Sequence, residues 1–257
     1  MTRWLVALDD TDVPDGRGTG QLARMLMQAL VERGARSRGV TRHQLLVHPS
    51  VPYTSHNSAN CLGVEADWPD PADVLAWVCR LVVEECPEGS DPGVCMARAS
   101  AVGPAVVAFG CRTQREVVTQ EAARRAADAS GCVLRGLGGT RDGVIGAVAA
   151  VGLRAGGNDG RFVDLGRVRA LSGVVSAREL LAAGADTVAT RDGMAASPGE
   201  RVDTLGWVRP RLREGRALLL VERSKSDDAE WIVSDRRGEG SRAALGLPPD
   251  GRDGPRH

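Results

Sequence analysis

The feature that most constrains this chain lies at its start. The apolar run Trp4-Leu5-Val6-Ala7-Leu8 leads directly into Asp9-Asp10-Thr11-Asp12 and then into the glycine turn Gly16-Arg17-Gly18-Thr19-Gly20. A short apolar run bounded by turn residues reads as a buried strand, and from Thr19 to Gly34 the residues Leu22, Met25, Leu26, Ala29 and Leu30 fall at helical spacing. Thr19 is expected to cap that helix and Gly34 to end it. A helix beginning there offers free N–H groups and the positive end of its dipole to an anion, while carboxylates at the strand end suit a hard cation such as Mg²⁺. Asp and Gly are also ordinary turn residues. Three carboxylates within four residues nevertheless repel one another unless a cation, a basic partner or water screens them.

Composition removes several function classes. Acidic and basic residues balance at 33 each, so nothing draws the chain as a whole to nucleic acid or to an anionic membrane. No stretch reaches the roughly 18 apolar residues of a membrane span, and the start lacks the pattern of a signal peptide, so a cytoplasmic location without membrane partners is expected. The six cysteines, at 61, 79, 86, 95, 111 and 132, form no CxxC pair and have no histidine at zinc-ligand spacing. Buried thiols and no zinc site are expected. Lys225 is the only lysine against 32 arginines, and no Gly-Lys-Ser/Thr occurs, which excludes a Walker A loop. Charge on a bound phosphate must then be met by arginine, a metal or backbone N–H groups.

Further along, Gly39 to Val47 reads as a second strand and Cys61 to Ala66 as a third. The polar connection from Pro49 to Asn60 carries the only tyrosine, His56 and Asn57, and reads as a loop facing a polar ligand. A helix is expected over Asp73 to Cys86, stopped by Pro87, then a turn from Glu88 to Val94 in which Asp91 suits a cation or an amine, then a helix over Gln114 to Ser130. A second glycine-rich element, from Val133 to Ala147, couples a short apolar run to a helix of small residues over Val144 to Val151, with Asp142 placed to cap it and Arg141 to reach an anion. Two glycine turns opening helices suggest one ligand held between them. Beyond Gly156 come a strand over Phe162 to Arg169, a short helix from Ser176 to Leu181 with a Ser176/Glu179 capping box, and a hairpin pairing Arg201 to Arg213 with Arg216 to Glu222 around Glu214-Gly215. Trp231 to Val233 adds a strand, and the tail over 236–257 is expected to be disordered.

These stretches resemble the archaeal tRNA-isoleucine agmatinylcytidine synthetase family, which attaches agmatine to the anticodon wobble cytidine using ATP. The likeness is carried by Asp9-Asp10-Thr11-Asp12 with its glycine turn, Val51-Pro52-Tyr53 leading to Ala59, Asp91-Pro92-Gly93-Val94, and Gly143 to Gly152, in order through about residue 165. It implies an α/β (α+β) fold: a discontinuous kinase-like domain from residues 1–60 and 132–235, and an inserted ferredoxin-like domain over 61–131. It further implies ATP and Mg²⁺ as cofactors, with Asp9, Asp10 and Asp12 as metal ligands and, together with Thr19, as catalytic residues. Phosphate contacts follow at Gly18, Thr19 and Gly20, with His56, Asn57 and Arg141 completing the nucleotide site and Asp91, Gly93 and Asp142 the amine site.

The sequence also departs from the family. Its paired threonines are here Gly18-Thr19-Gly20, its Lys and Arg after Pro-Tyr are Thr54, Ser55 and His56, and the last cysteine is Cys132, so no zinc ribbon is expected. Residues 166–235 are short for an OB-fold. The expectation is therefore an ATP- and Mg²⁺-dependent ligase or kinase-type enzyme that activates an oxygen of a small molecule or nucleotide for attack by an amine such as agmatine, with tRNA the less favoured partner. Two alternatives stand beside it: a tRNA-modifying enzyme working with a partner protein, and a non-catalytic module binding a nucleotide or polyamine.

Overall fold

In the computed structural model, residues 1–13, 18–51 and 57–234 are described, and the expectations placed on Gly16, Arg17, Tyr53, His56 and the 236–257 tail lie outside them. The chain divides into two units: Met1–Gly166 with Pro210–Leu218, and Arg167–Arg209 with Leu219–His257. Its class is α+β.

The first unit is organised by β1 (Thr2–Asp9), α1 (Thr19–Glu32), β2 (Arg36–Gln44), β3 (Ser58–Ala66), α2 (Pro71–Glu85), β4 (Gly93–Arg98), α3 (Pro104–Thr113), α4 (Gln120–Asp128), β5 (Val133–Gly136), α5 (Gly143–Gly156) and β6 (Arg161–Asp164). β1 is apolar at successive positions because it is an inner strand of an antiparallel sheet ordered β5-β4-β1-β3-β2-β6 and covered on both faces. Side chains alternate across a strand. Trp4, Val6 and Leu8 pack with Leu62, Val64 and the buried faces of α1 and α2, whereas Leu5 and Ala7 pack with Cys61, Cys95 and α3, α4 and α5.

α1 begins where the spacing places it and stops as expected. Gly34, at φ +87°, closes it with Gly34 N–H donating to Val31 O at 2.9 Å and Ala35 N–H to Leu30 O at 3.1 Å. Thr19 does not cap it: Gly18 holds the cap position without a side-chain bond, and Thr19 is the first helical residue. α5 is buried on nearly every side, and its small residues have a steric reason. A Cβ on Gly152 would stand 2.1 Å from Val106 O, and one on Gly110 would stand 2.8 Å from Ala149 O, so α3 and α5 pack backbone against backbone.

Several boundaries differ from expectation. The helix over Gln114 to Ser130 shrinks to α4, capped by the Thr119 hydroxyl accepting from Ala122 N–H, and α3 stands before it unforeseen because its apolar content is that of a buried strand as much as of a helix. The expected 60/61 boundary falls inside β3, whose pairing with β1 and β2 binds 61–131 into the same unit as 1–60. In the span Phe162 to Arg169 the strand β6 stops at Asp164 and a 3-10 turn begins at Val168, and Asp142, although next to α5, has helical φ and ψ and makes no cap bond.

The expected hairpin contracts to β10 (Arg211–Arg213) and the first half of β11 (Arg216–Arg223), turning through Glu214 at φ +49° and Gly215 at φ +72°. β10 also pairs with β6. In the second unit, β7 (Val174–Ser176), α6 (Ala177–Ala183), β8 (Thr187–Ala189), β9 (Arg201–Asp203), the second half of β11 and β12 (Trp231–Val233) surround the buried Trp231, Leu180, Leu219 and Val202. The capping box forms as read: Ser176 Oγ accepts from Glu179 N–H at 3.2 Å, and Glu179 accepts from Ser176 N–H at 2.7 Å. Among the described residues no helix is long and apolar enough to cross a membrane. Of the cysteines expected to be buried, Cys61, Cys95 and Cys132 are, whereas Cys111 is exposed on α3.

Candidate functional site

Where β1 ends, α1 and α5 begin on opposite faces of the sheet, so two helix N-termini reach the same edge. Between them lies a cleft of about 500 Å³ within the first unit. Its polar wall is Asp9, Asp10, Asp12, Gly18, Thr19, Gly20 and Asp142, with Arg24, Arg42, Asn57 and Asn60 beside it; Leu45, Leu46, Val51, Val117, Val118 and Ile145 form an apolar end.

The acid cluster is under electrostatic load. Burial, then the neighbouring Asp10 and Asp12 charges, push Asp9 up to about 8 against the partial relief of a bond from the Asp10 backbone. Burial, then Asp91, Asp12 and Asp142, push Asp10 up to about 6. The Asp9 carboxylate lies on the first turn of α5, where a Cβ on Gly146 would stand 1.8 Å from its Oδ2. Asp10 turns away through φ +55°. Because the chain turns between them, the expected trio of Asp9, Asp10 and Asp12 is no ready-made cage: among the described residues no three His, Cys, Asp or Glu side chains converge as a metal-holding group. The donor set fits a Mg²⁺ that takes one or two carboxylates and completes its shell with water and phosphate oxygens.

The remaining expected residues separate into two groups. Asp142 lines the cleft, its carboxylate accepting from Gln120 Nε2 at 2.7 Å, and Asn57 lines it while donating from Nδ2 to Leu46 O at 2.6 Å, which ties down the loop after β2. Asp91, Gly93 and Arg141 are not among the lining residues. Both oxygens of Asp91 are taken by Thr140, from its N–H at 2.8 Å and its hydroxyl at 2.6 Å. Gly93 is a packing glycine, since a Cβ there would stand 2.1 Å from Gly143 C. Arg141 is exposed, at φ +69°.

Sequence reasoning missed Arg24, Arg42, Ile145, Thr113, Glu116, Val117 and Val118, which line the cleft, and took Asn60 only as part of the polar connection facing a ligand. Asn60 had a readable signal: it shares the period-two face of Leu62 and Val64, where an apolar residue belongs. The others reach the cleft through the sheet order and carry no local mark.

No protein-family model matches the chain. It is 30% identical over 156 residues to the isoleucine-tRNA 2-agmatinylcytidine synthetase TiaS of Methanosarcina mazei, a match taking in 58% of this chain and 35% of that protein. It is similar to the crystal structure of TiaS in complex with its isoleucine tRNA and ATP, with TM-score 0.51 and 28% identity over 59% of this chain and 36% of that one. A similar likeness holds to the complex of TiaS with the same tRNA, AMPCPP and agmatine, with TM-score 0.50 and 26% identity over 59% and 36%. The chain thus spans about a third of the length of the proteins it matches. Over the part these matches cover, the chain is similar to TiaS, and that part holds the acidic turn and the paired glycine-rich helix starts.

Proposed function

We propose that the cleft is the active site of an ATP-dependent ligase of the agmatinylcytidine synthetase type. One observation carries the reading: the acidic end of β1 and the N-termini of α1 and α5 open into a single cavity. On this reading the polyphosphate lies against Gly18, Thr19 and Gly20, whose backbone N–H groups and helix dipole favour anions. Mg²⁺, held through Asp10 and Asp12, supplies charge neutralisation for phosphoryl transfer. The apolar end at Leu45, Val51, Val118 and Ile145 receives the nucleobase. The negative charge of the acid cluster draws in the cationic amine.

The chemistry is a two-step substitution. A phosphoryl group passes to a carbonyl-type oxygen of the acceptor, an O–P bond forming there as the bond to the nucleotide breaks. The amine nitrogen then attacks the adjoining carbon, the oxygen leaves as phosphate, and a carboxylate of the cluster takes the amine's proton. The acceptor proposed is a cytidine of tRNA, because the solved TiaS complexes hold tRNA alongside ATP or its analogue, and the second of them agmatine. The preference for a smaller acceptor drawn from composition therefore gives way.

The test is to incubate the purified chain with ATP, MgCl₂, agmatine and isoleucine tRNA of the kind held in those complexes, following nucleotide consumption and the mass of the released nucleosides. Product is expected only when all four are present, and Asp10→Asn is expected to abolish it without lowering thermal stability. Modification of free cytidine alone would reassign the acceptor. Nucleotide binding without turnover across a panel of amines would favour a non-catalytic module, and no nucleotide binding at all would overturn the reading.

A further inference from the structure

The most unusual group in the cleft is not charged. Asn60 is 1% exposed on β3, opposite Leu8 of β1 on one side and Arg42 of β2 on the other, and it occupies the face that carries the fully buried Leu62 and Val64. Its Oδ1 is buried without a hydrogen-bond partner among the described residues. A buried carbonyl left in that state is destabilising, and an apolar side chain at the same place would remove the penalty. A strand that keeps such a group has a reason outside its own packing.

The surroundings supply one. Asn60 Oδ1 lies 3.8 Å from the point where a Cβ on Gly20 would stand, which sets the carboxamide beside the first turn of α1, and Asn60 lines the cleft. In that turn the Gln21 and Leu22 N–H groups donate back to Gly18 O, at 2.8 and 3.5 Å, whereas no acceptor is found among the described residues for those of Thr19 and Gly20. Asn60 lines the cleft and its Nδ2 is not among the buried unpaired atoms, so that its NH₂ group and the Thr19 and Gly20 amides together offer a neutral donor set for one anion.

We propose that Asn60 is a phosphate-binding residue whose side-chain amide joins the Thr19 and Gly20 amides on the polyphosphate of the nucleotide. The inference rests on the nucleotide reading above. It gives the cleft an anion contact that needs neither lysine nor arginine, in a chain with a single lysine.

Calorimetric titration with adenosine, ADP and ATP in MgCl₂, on the wild type, Asn60→Val and Asn60→Asp, tests it together with thermal melts. Asn60→Val is expected to melt at or above the wild-type temperature, to bind ATP about tenfold more weakly, and to bind adenosine as the wild type does. Asn60→Asp is expected to lose more ATP affinity than Asn60→Val, since it replaces a donor with a negative charge. ATP affinity of Asn60→Val within about twofold of wild type overturns the inference while leaving the nucleotide reading intact. So does a lowered melting point with adenosine and ATP weakened equally, the mark of a purely structural residue. Wild-type protein that binds no ATP overturns the nucleotide reading and this inference with it.

Discussion

α5 opens through Gly143 and Gly146, α1 through Gly18 and Gly20, yet the space around these glycines is opposite in kind. A Cβ on Gly143 would stand 2.4 Å from Asp91 O and 2.5 Å from Gly93 N, whereas one on Gly18 would meet nothing within 4 Å and one on Gly20 only Asn60. The loop before α5 is also tied down, Asp91 holding Thr140 through two bonds and Gln120 holding both Thr140 O at 2.8 Å and Asp142. The start of α1 keeps amides that find no acceptor among the described residues, and a half-buried acid turn. Similar glycine-rich spellings thus serve two purposes: at α5 glycine lets backbones touch, and at α1 it leaves room that the described residues do not fill.

The largest effect that separates the two follows from adding one methyl group. Gly143→Ala is expected to destabilise the protein by about 3 kcal/mol or to prevent folding, because the new atom meets backbone, which cannot swing aside as a side chain can. Urea denaturation measures it, and a loss under about 1 kcal/mol would break the comparison.

A second effect is read through pH. Asp9, raised from 3.8 to about 8, keeps its proton in the folded state over a range where the unfolded chain has lost it. Its contribution to stability is therefore complete below about pH 4 and is lost as pH rises through about 8. The melting temperature of the metal-free protein is expected to fall between about pH 7 and 9, above the range in which His43, its own proton affinity lowered chiefly by burial, takes up a proton. Asp9→Asn should flatten that slope, and so should saturation with MgCl₂ and ATP. An unchanged slope in Asp9→Asn would mean that the load at the foot of α5 is carried elsewhere.

The smallest effect sharpens the other side. Gly18→Ala is expected to change stability by less than about 1 kcal/mol, since the added methyl touches no atom of the described residues and alanine is a slightly poorer cap than glycine. Any loss of nucleotide affinity from that methyl then reports the approach of a ligand to the first turn of α1.

Much of this was legible from local order. The apolar run before Asp9, the 3.6-residue spacing of Leu22, Leu26 and Leu30, the stop at Gly34, the Ser176/Glu179 box and the Glu214-Gly215 turn each depend on neighbours within a turn or two of chain. Less local features were misread. α3 was missed because Val106 and Phe109 face a helix remote in sequence, and Asp91 drew attention as a ligand when its oxygens were already committed to Thr140, 49 residues away. In the sequence Asn60 reads as the end of a loop, because its meaning appears only once β3 is paired with β1 and β2 and α1 is laid across them.

The sequence by itself determined that a strand would end in acid and hand over to a helix, twice offering glycine where a helix begins, because hydrophobic periodicity and turn chemistry act over a few residues. Only the tertiary structure decided that both helix starts face one cleft, that Asp9 rests on the first turn of α5, and that Gly93 and Gly143 exist for each other. Those facts depend on the order of strands in a sheet, a choice made by non-local pairing and by which backbones can approach without a side chain between them.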